Sequence, residues 1–562
     1  MEDASHGYVY VGLALVSLFV VLLARRRRSP PPAAHGDGGL RLPPGPWTLP
    51  IIGSLHHLVG QIPHRAMRDL ARRHGPVMLL RIGEVPTLVV SSRDAAREVT
   101  KTHDTAFAMR PLSATLRVLT NGGRDLVFAP YGDYWRQVRK IAVTELLTAR
   151  RVHSFRSIRE EEVAALLRAV AVAAGTVEMR AALSALVSDI TARTVFDNRC
   201  KDRGEFLVLL ERTIEFAGGF NPADLWPSLL AQPRNTLTLT NTNAATNAAE
   251  PIAPVSWLYY SLNLAKKQRR STGASYRPSS RLAGRLSSVV RRAEECRNSV
   301  YKILDGIIQE HQERTSAGGE DLVDVLLRIQ KEGGLQFPLA MDDIKSIIFD
   351  IFSAGSETSA TTLAWAMAEL IRNPTAMHKV MAEVRRAFAA AGAVSEDALG
   401  ELRYLQLVIR ETLRLHPPLP LLLPRECREP CRVLGYDVTR GTQVLVNAWA
   451  IGLDERYWPG GSPEEFRPER FEDGEATAAV DFRGTDFEFL PFGAGRRMCP
   501  GMAFGLANVE LPLASLLFHF DWEVPGLADP AKLDMTEAFG ITARRKADLH
   551  LRPCLLVSVP GV

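Results

Sequence analysis

The 562-residue sequence predicts a mainly α-helical fold with small β-sheets, set behind a single N-terminal transmembrane helix. Three observations carry this reading. Apolar residues recur at helical spacing through long stretches of residues 131–415, as in "IREEEVAALLRAVAVAA" and "VRRAEECRNSVYKILDGIIQEH". Strand-like runs are short and flank that region; in "VMLLRIGEVPTLVVSS" (77–92) two β-rich runs around Gly83–Pro86 predict a hairpin. "GYVYVGLALVSLFVVLLA" (7–24) is uncharged and long enough to cross hydrocarbon as a helix, which takes roughly 17–25 residues.

Taken in order, residues 1–28 read as a signal-anchor and its basic stop. Arg25–Arg28 follow the apolar run at once, and Glu2 and Asp3 precede it, so the bulk of the chain is expected on the cytosolic side. A cleaved signal peptide is the rival reading, but it wants its positive charge before the run and small residues after it. Residues 29–46 form a Pro/Gly-rich linker, "SPPPAAHGDGG", ending in the non-helical hinge "LPPGP". Residues 47–562 form one large domain. Helices dominate it to about residue 415, short strands and loops follow, and one more helix starts near Gly501.

One stretch, residues 229–280, breaks the pattern. Its first half is rich in Thr, Asn and Ala, its second is basic and Ser-rich, and neither sustains an amphipathic period. A loop this long inside a compact domain is unusual. It reads as an atypical disordered insertion, from a retained intron or gene-model error, with a genuine surface excursion as the alternative.

Composition excludes several classes of function. With 46% hydrophobic residues and a net charge of +5, the chain can bury a large core and carries no strong signal for a nucleic-acid partner. Its six cysteines are scattered; Cys427 and Cys431 have no matching second pair, so neither a zinc site nor a disulfide framework is indicated.

The chemistry starts in "PFGAGRRMCPG" (491–501). A cysteine thiolate is a metal ligand, and neighbouring cations or a helix N-terminus stabilise it. Gly493, Gly495 and Gly501 let the backbone pass close to a flat cofactor, Arg497 can pair with an acidic substituent, and Gly501 opens the helix "GMAFGLANVELPLASLLFHF" beside Cys499. Phe492, Gly495, Arg497, Cys499 and Gly501 match F-x-x-G-x-R-x-C-x-G, and with this loop the chain resembles the cytochrome P450 enzymes.

Three further motifs follow that family's order. "FSAGSETSATT" lies in a helical run, 346–371, where Ala354 and Thr358 share one face. Read alone it is a Ser/Thr-rich helix with internal back-bonding. The resemblance makes Ala354, Gly355, Glu357 and Thr358 the oxygen-activation segment, with small residues leaving room for dioxygen and Thr358 and Glu357 relaying protons. "ETLRLHPP" places Glu411 and Arg414 on one helix face; the family buries such a pair with the arginine of a "PERF" segment, here Arg470, as a structural triad. "YWRQVRK" supplies Trp135 and Arg139, which the resemblance sets against haem propionates, with Arg425 as a further contact.

The resemblance covers the chain outside residues 231–280, and is closest to the plant endoplasmic-reticulum branch and grass sesquiterpene and diterpene oxidases. It implies the cytochrome P450 fold, haem b held by the Cys499 thiolate, and NADPH used indirectly through a membrane-bound NADPH-cytochrome P450 reductase, since no dinucleotide-binding fingerprint is present. Arg136, Arg139 and Lys140 offer part of a basic docking face for that reductase, or a solvated helix face. The implied reaction is hydroxylation or epoxidation of a hydrophobic small molecule, a terpenoid in specialised metabolism, at the endoplasmic reticulum membrane with the catalytic domain in the cytosol.

The family's substrate-contacting regions carry over onto Phe107, Leu112, Leu116 and Leu119, then Ile347 and Ile351, then Leu419, Leu422 and Leu423, and finally Phe539 and Ile541. Nearly all of the pocket is therefore expected to be apolar. Two rivals stand beside this reading. One is a haem-thiolate isomerase or dehydratase of peroxides, which the acid–alcohol pair Glu357–Thr358 argues against. The other is an inactive membrane-anchored product disabled by residues 229–280.

Overall fold

The computed structural model describes residues 39–196, 203–218, 221–229, 278–313, 320–538 and 540–561. The predicted membrane helix 7–24, most of the linker and nearly all of the 229–280 segment lie outside the described residues.

The predicted hairpin is present. Strands β1 (Val77–Ile82) and β2 (Val85–Val90) pair antiparallel, Val77 opposite Val90. Gly83 turns at φ +65°, and a Cβ there would meet the Leu225 carbonyl oxygen at 2.4 Å, so this turn admits only glycine. Two later strands complete the sheet: β3 (Arg425–Glu426) pairs antiparallel with β4 (Gln443–Val446), which lies parallel to β2. This return places Arg425 on the edge strand of the sheet.

The helical body includes α1 (Asp133–Ile141), α2 (Arg156–Ala171), α3 (Met179–Phe196), α4 (Arg203–Ala217), α5 (Pro278–Glu313), α6 (Met341–Arg372), α7 (Pro374–Phe388), α8 (Arg403–Leu415) and α9 (Met502–His519). Helix α6 is the axis. Asp342 and Asp343 in its first turn suit the positive end of the helix dipole. It ends where Pro374 starts α7: proline fits a helix's first turn, whereas in the interior it removes a backbone hydrogen bond. Its buried residues face α3, α8 and α9, which accounts for its apolar character nearly all round. It is longer than the 346–371 run suggests, because its first turn is polar. Two short strands, β5 (Glu537–Ala538) and β6 (Arg544–Arg545), pair beside it.

Among the described residues one helix, α9, is long and apolar enough to cross a membrane, yet 67% of that span is buried in the protein. Its neighbours α2, α6 and α7 cover it, so its apolarity serves the core.

Glu411, Arg414 and Arg470 come together as the family resemblance implies. Arg414 grips Glu411 with two bonds, Nε to Oε2 and Nη2 to Oε1, both 2.7 Å. Arg470 Nε donates to the same Oε1 at 3.2 Å. All three side chains are essentially inaccessible, and the remaining Arg414 donors go to the carbonyls of Gly452, Pro463 and Glu465. The triad therefore ties α8 to the irregular chain at 452–470 that leads toward the cysteine loop. Removing the shared carboxylate leaves two buried guanidinium groups uncompensated, at a cost of about 3–5 kcal/mol. Glu411→Gln is expected to lose that much stability in urea unfolding; a loss under about 1 kcal/mol would show that the triad is not needed to hold the fold.

Candidate active site

A cavity of about 320 Å³ lies between α6 and the cysteine loop. It gathers most of the residues singled out in the sequence: Ile351, Ala354, Gly355, Glu357 and Thr358 from α6, Trp135 and Arg139 from α1, and Phe492, Arg497, Cys499 and Gly501 from the loop. Leu116, Leu119, Leu419, Leu422, Leu423, Arg425 and Ile541 complete that set.

The cysteine loop is held by its own backbone. Cys499 N–H donates to the Phe492 carbonyl at 2.9 Å, and Gly493 turns at φ +68° on the cavity wall. The Cys499 side chain counts as exposed, but the surface it presents faces this internal cavity. Burial pushes its thiol up; the Gly501 N–H and the charge of Arg139 act the other way and favour thiolate. Arg139 reaches that position by donating to the Met498 carbonyl at 2.5 Å. It is thus turned inward, and of the three basic α1 residues only Arg136 and Lys140 are exposed.

Three guanidinium groups, Arg110, Arg425 and Arg497, are buried together along one wall beside the half-buried Arg139. Their donors go mainly to backbone oxygens. Arg497 bonds Ala108 O at 2.8 Å and Ala129 O, Arg110 bonds Leu423 O and Pro424 O at 2.7 Å, and Arg425 bonds Ala494 O at 2.7 Å. Arg425 also approaches the Asp104 carboxylate at 3.4 Å. Burial first, then the charge of Arg425, pushes Arg497 down to about 9; burial and its neighbours Arg497 and Arg425 push Arg110 down as well. The wall holds more positive charge than its own carboxylates balance.

Residues 125–129 link this charge to α6. The Val127 and Ala129 carbonyls accept from Arg497 and the Leu126 carbonyl from Trp135, while the Leu126 and Val127 N–H groups donate to Asp350 Oδ2 at 2.9 and 3.0 Å. Asp125 Oδ1 accepts from Phe128 N–H at 2.8 Å. Burial raises both carboxyls, Asp125 to about 7 and Asp350 well above the ordinary range, and the negative charge of Asp125 raises Asp350 further.

Asp350, Ala354 and Thr358 lie four apart on α6 and share its cavity face. Thr358 Oγ1 donates to the Ala354 carbonyl at 2.7 Å, the back-bonding geometry, and can turn from it toward the cavity. The Glu357 carboxylate accepts from Thr542 Oγ1 at 2.9 Å.

Several expected residues stand elsewhere. Phe107 is fully buried in the core beneath the first sheet, and Ile347 is buried in a second core cluster and does not line the cavity, whose α6 lining begins two residues later at Phe349. Leu112 packs against Gly123 and does not line the cavity. Gly495 does not face the cavity either; it turns at φ +72°, and a Cβ there would sit 2.1 Å from the Thr100 carbonyl oxygen. The Gly355 backbone lines the cavity, but its missing Cβ makes room for Phe504, whose ring would be 2.9 Å away. The Trp135 indole N–H donates to Leu126 O at 3.1 Å, and its ring is a platform for the Arg497 guanidinium, 4.1 Å above it. Phe539 lies outside the described residues. Sequence reading missed Arg110, Asp125 and Asp350. A signal existed only for Arg110, an arginine inside the apolar run "AFAMRP".

This donor set fits haem. Cys499 offers one soft ligand to an iron in the cavity, and the surplus buried guanidinium charge calls for an anionic partner such as two propionates. Arg110, Arg139, Arg425 and Arg497 would hold those carboxylates. A charge-assisted hydrogen bond is worth about 1.5–3 kcal/mol, so Arg110→Ala is expected to weaken haem retention by about 10- to 100-fold in transfer to apomyoglobin. Unchanged retention would place Arg110 outside the haem site. Asp125 carries the pH signature. Its folded value is raised above the unfolded one, so the folded state holds the extra proton and stability falls as pH climbs from about 4 to about 7. Asp125→Asn is expected to gain in urea midpoint relative to wild type across that window and to hold a constant offset above it. A constant offset at every pH would contradict the assignment.

Comparison with known proteins agrees with this geometry. The Cytochrome P450 family model matches residues 43–246 and 268–550, leaving 247–267, within the atypical segment, unmatched. Desmethyl-deoxy-podophyllotoxin synthase of Sinopodophyllum hexandrum is 46% identical over 92% of each chain, and dolabradiene monooxygenase of Zea mays is 45% identical over 92% of each. A zebra fish cytochrome P450 solved with abiraterone shares the fold, with a TM-score of 0.66 at 23% identity over 88% of this chain and 99% of that one. A cysteine open to a guanidinium-walled cavity, in a chain matched along nearly its whole described length, makes this protein a member of the cytochrome P450 family.

Proposed function

We propose that this monooxygenase inserts one oxygen atom into a terpenoid of specialised metabolism. The observation that carries the reading is the substrate side of the cavity: Leu116, Leu119, Ile351, Leu419, Leu422, Leu423 and Ile541 surround the space above Cys499 with few polar anchors. Such a wall selects an apolar skeleton by shape and desolvation. The relationship to the dolabradiene monooxygenase of Zea mays supports the same class.

Bound haem supplies dioxygen activation, tuned by electron donation from the Cys499 thiolate. The chain's own residues do the rest. Arg110, Arg139, Arg425 and Arg497 would hold the cofactor's carboxylates, the leucine wall would exclude water and orient the substrate, and Thr358 and Glu357 would hold protons at the α6 side of the cavity. The overall balance is substrate C–H plus O₂, two electrons and two protons, giving C–OH and one water. We further propose that the electrons come from NADPH-cytochrome P450 reductase and that the apolar run 7–24, stopped by Arg25–Arg28, anchors the chain in the endoplasmic reticulum membrane with the catalytic domain in the cytosol. Residues 229–280 are proposed to be a retained-intron or gene-model artefact, a reading their composition supports.

Two experiments test these proposals. Full-length protein co-expressed with a plant reductase and fed sesquiterpene and diterpene hydrocarbons is expected to yield a product heavier by one oxygen, dependent on NADPH. Turnover of phenolic or fatty-acid substrates alone would overturn the terpenoid assignment, and turnover of hydroperoxides without reductase would favour the isomerase reading. Sequencing of full-length transcripts is expected to show a dominant mRNA without the codons for 229–280; an abundant in-frame mRNA that carries them would overturn the artefact.

A further inference from the structure

Cys427 and Cys431, the close pair whose spacing indicates no zinc site, come together in the structure. They are the only two cysteines among the described residues that pack into one core, the one beneath the first sheet, with Cys427 fully buried and Cys431 partly exposed. Cys427 is fixed by its backbone: its N–H donates to the Thr442 carbonyl at 2.9 Å, and its carbonyl accepts from Gly441 N–H at 2.7 Å. Cys431 opens a short hairpin, Cys431–Val433 against Tyr436–Val438, and pairs with Val438. Cys427 Sγ reaches that rung, 3.8 Å from the Val438 carbonyl oxygen, so the two side chains converge from opposite ends of the turn 428–430. We propose that Cys427 and Cys431 are a redox pair that hydrogen peroxide closes to a disulfide, and that closure loosens the arginine wall's hold on haem.

The two thiols act on each other directly. A hydrogen bond from the Cys431 side chain holds the Cys427 thiol below its ordinary range against the effect of burial; the same bond, then burial, pushes Cys431 up. Such a pair releases one proton readily and keeps the other between the sulfurs, which supplies a nucleophilic thiolate. Access comes from the turn. Arg428, Glu429 and Pro430 are all exposed, so a molecule as small as peroxide meets the pair from that side.

Closure also has something to act on. Cys427 Sγ donates to the Glu429 carbonyl at 3.0 Å, a bond that a disulfide removes. Arg425 stands two residues earlier in the chain. The Glu426 and Arg428 N–H groups donate to the Met109 and Ala106 carbonyls, both at 2.9 Å, and the segment so bound carries Arg110 and offers the Ala108 carbonyl to Arg497. Displacing residues 427–430 therefore bears on three of the four guanidinium groups of the cavity wall.

In the first step one sulfur, as thiolate, attacks peroxide, takes one oxygen as sulfenic acid and releases the other as water. The second sulfur then displaces that hydroxyl group, which leaves as a second water once protonated. Two thiols lose one hydrogen each, and peroxide is reduced to two waters. The monooxygenase itself supplies the oxidant: dioxygen that takes up two electrons and two protons without reaching a substrate C–H leaves as hydrogen peroxide. A disulfide across so short a loop gains little from chain entropy, so glutathione-type thiols reopen it and the pair works as a reversible brake.

The test uses the full-length holoenzyme, reduced and then titrated with hydrogen peroxide. Trypsin cuts after Arg425, Arg428 and Arg432, so the disulfide appears in mass spectrometry as residues 426–428 joined to 429–432. Haem transfer to apomyoglobin is expected to be about fivefold faster from the oxidised protein, the loss of roughly one hydrogen bond, and dithiothreitol is expected to restore the slow rate. Cys431→Ala is expected to form no linkage and to keep the slow rate after the same peroxide. No linked peptide in wild type, or a linkage that leaves transfer unchanged, would overturn the proposal. So would a faster transfer that is equal in Cys431→Ala and untouched by dithiothreitol, since that marks direct damage to haem. If Cys431→Ala does not fold, reversal by dithiothreitol in wild type decides alone. None of these readouts depends on which substrate is oxidised.

Discussion

Burying three guanidinium groups and half of a fourth along one cavity wall is unfavourable in isolation, because each loses hydration and repels the others. The rest of the site is arranged around that cost. Residues 125–129 turn their carbonyls toward Arg110, Arg497 and Trp135, while their N–H groups are absorbed by Asp125 and Asp350. One five-residue loop therefore screens cations on one side and anchors to α6 on the other. Because carbonyl dipoles screen but do not neutralise, the wall keeps a net demand for anion, and a dicarboxylate cofactor would meet it beside Cys499, the one cysteine among the described residues that lines the cavity.

Helix α6 then separates two cavities by angular position alone. Its Asp350–Ala354–Thr358 face looks onto the large cavity, while Glu357, Thr361 and Ala364 look onto a second, smaller one. A helix buried nearly all round usually reports only packing. Here the same burial lets a single acidic residue, Glu357, line two cavities on opposite sides of the helix. The triad of Glu411, Arg414 and Arg470 plays no part in this division; it fixes the chain that carries the cysteine loop.

What could be read from the sequence follows the strength of the chemical constraint. The Cys499 loop, the Glu411–Arg414 pair and the Ala354–Thr358 face were legible, because ligation, pairing and helical spacing each restrict residue type at fixed separations. Gly495 was assigned to the right loop for the wrong reason: the carbonyl it accommodates belongs to Thr100, almost four hundred residues away in sequence, which no local pattern reveals. Phe107 and Leu112 were misplaced because residues 107–113 precede the short helix Ala114–Leu119 and follow no single period. Ile347 has the correct helical phase with Ile351, but at about 1.5 Å per residue it lies beyond the end of the cavity. Asp125 and Asp350 were invisible since an isolated aspartate in a sequence reads as solvated, and their burial depends on the loop they bind.

The central claim is that Cys499 ligates haem iron as thiolate. The carbon monoxide difference spectrum of the reduced protein tests it most directly, recorded for the full chain, for the chain without residues 229–280, and for Cys499→Ser in each. The account predicts a thiolate-type Soret band whenever Cys499 is present in a folded chain, and its loss with serine at haem content still measurable. The same band surviving in Cys499→Ser, or no such band from either chain carrying Cys499, would contradict it.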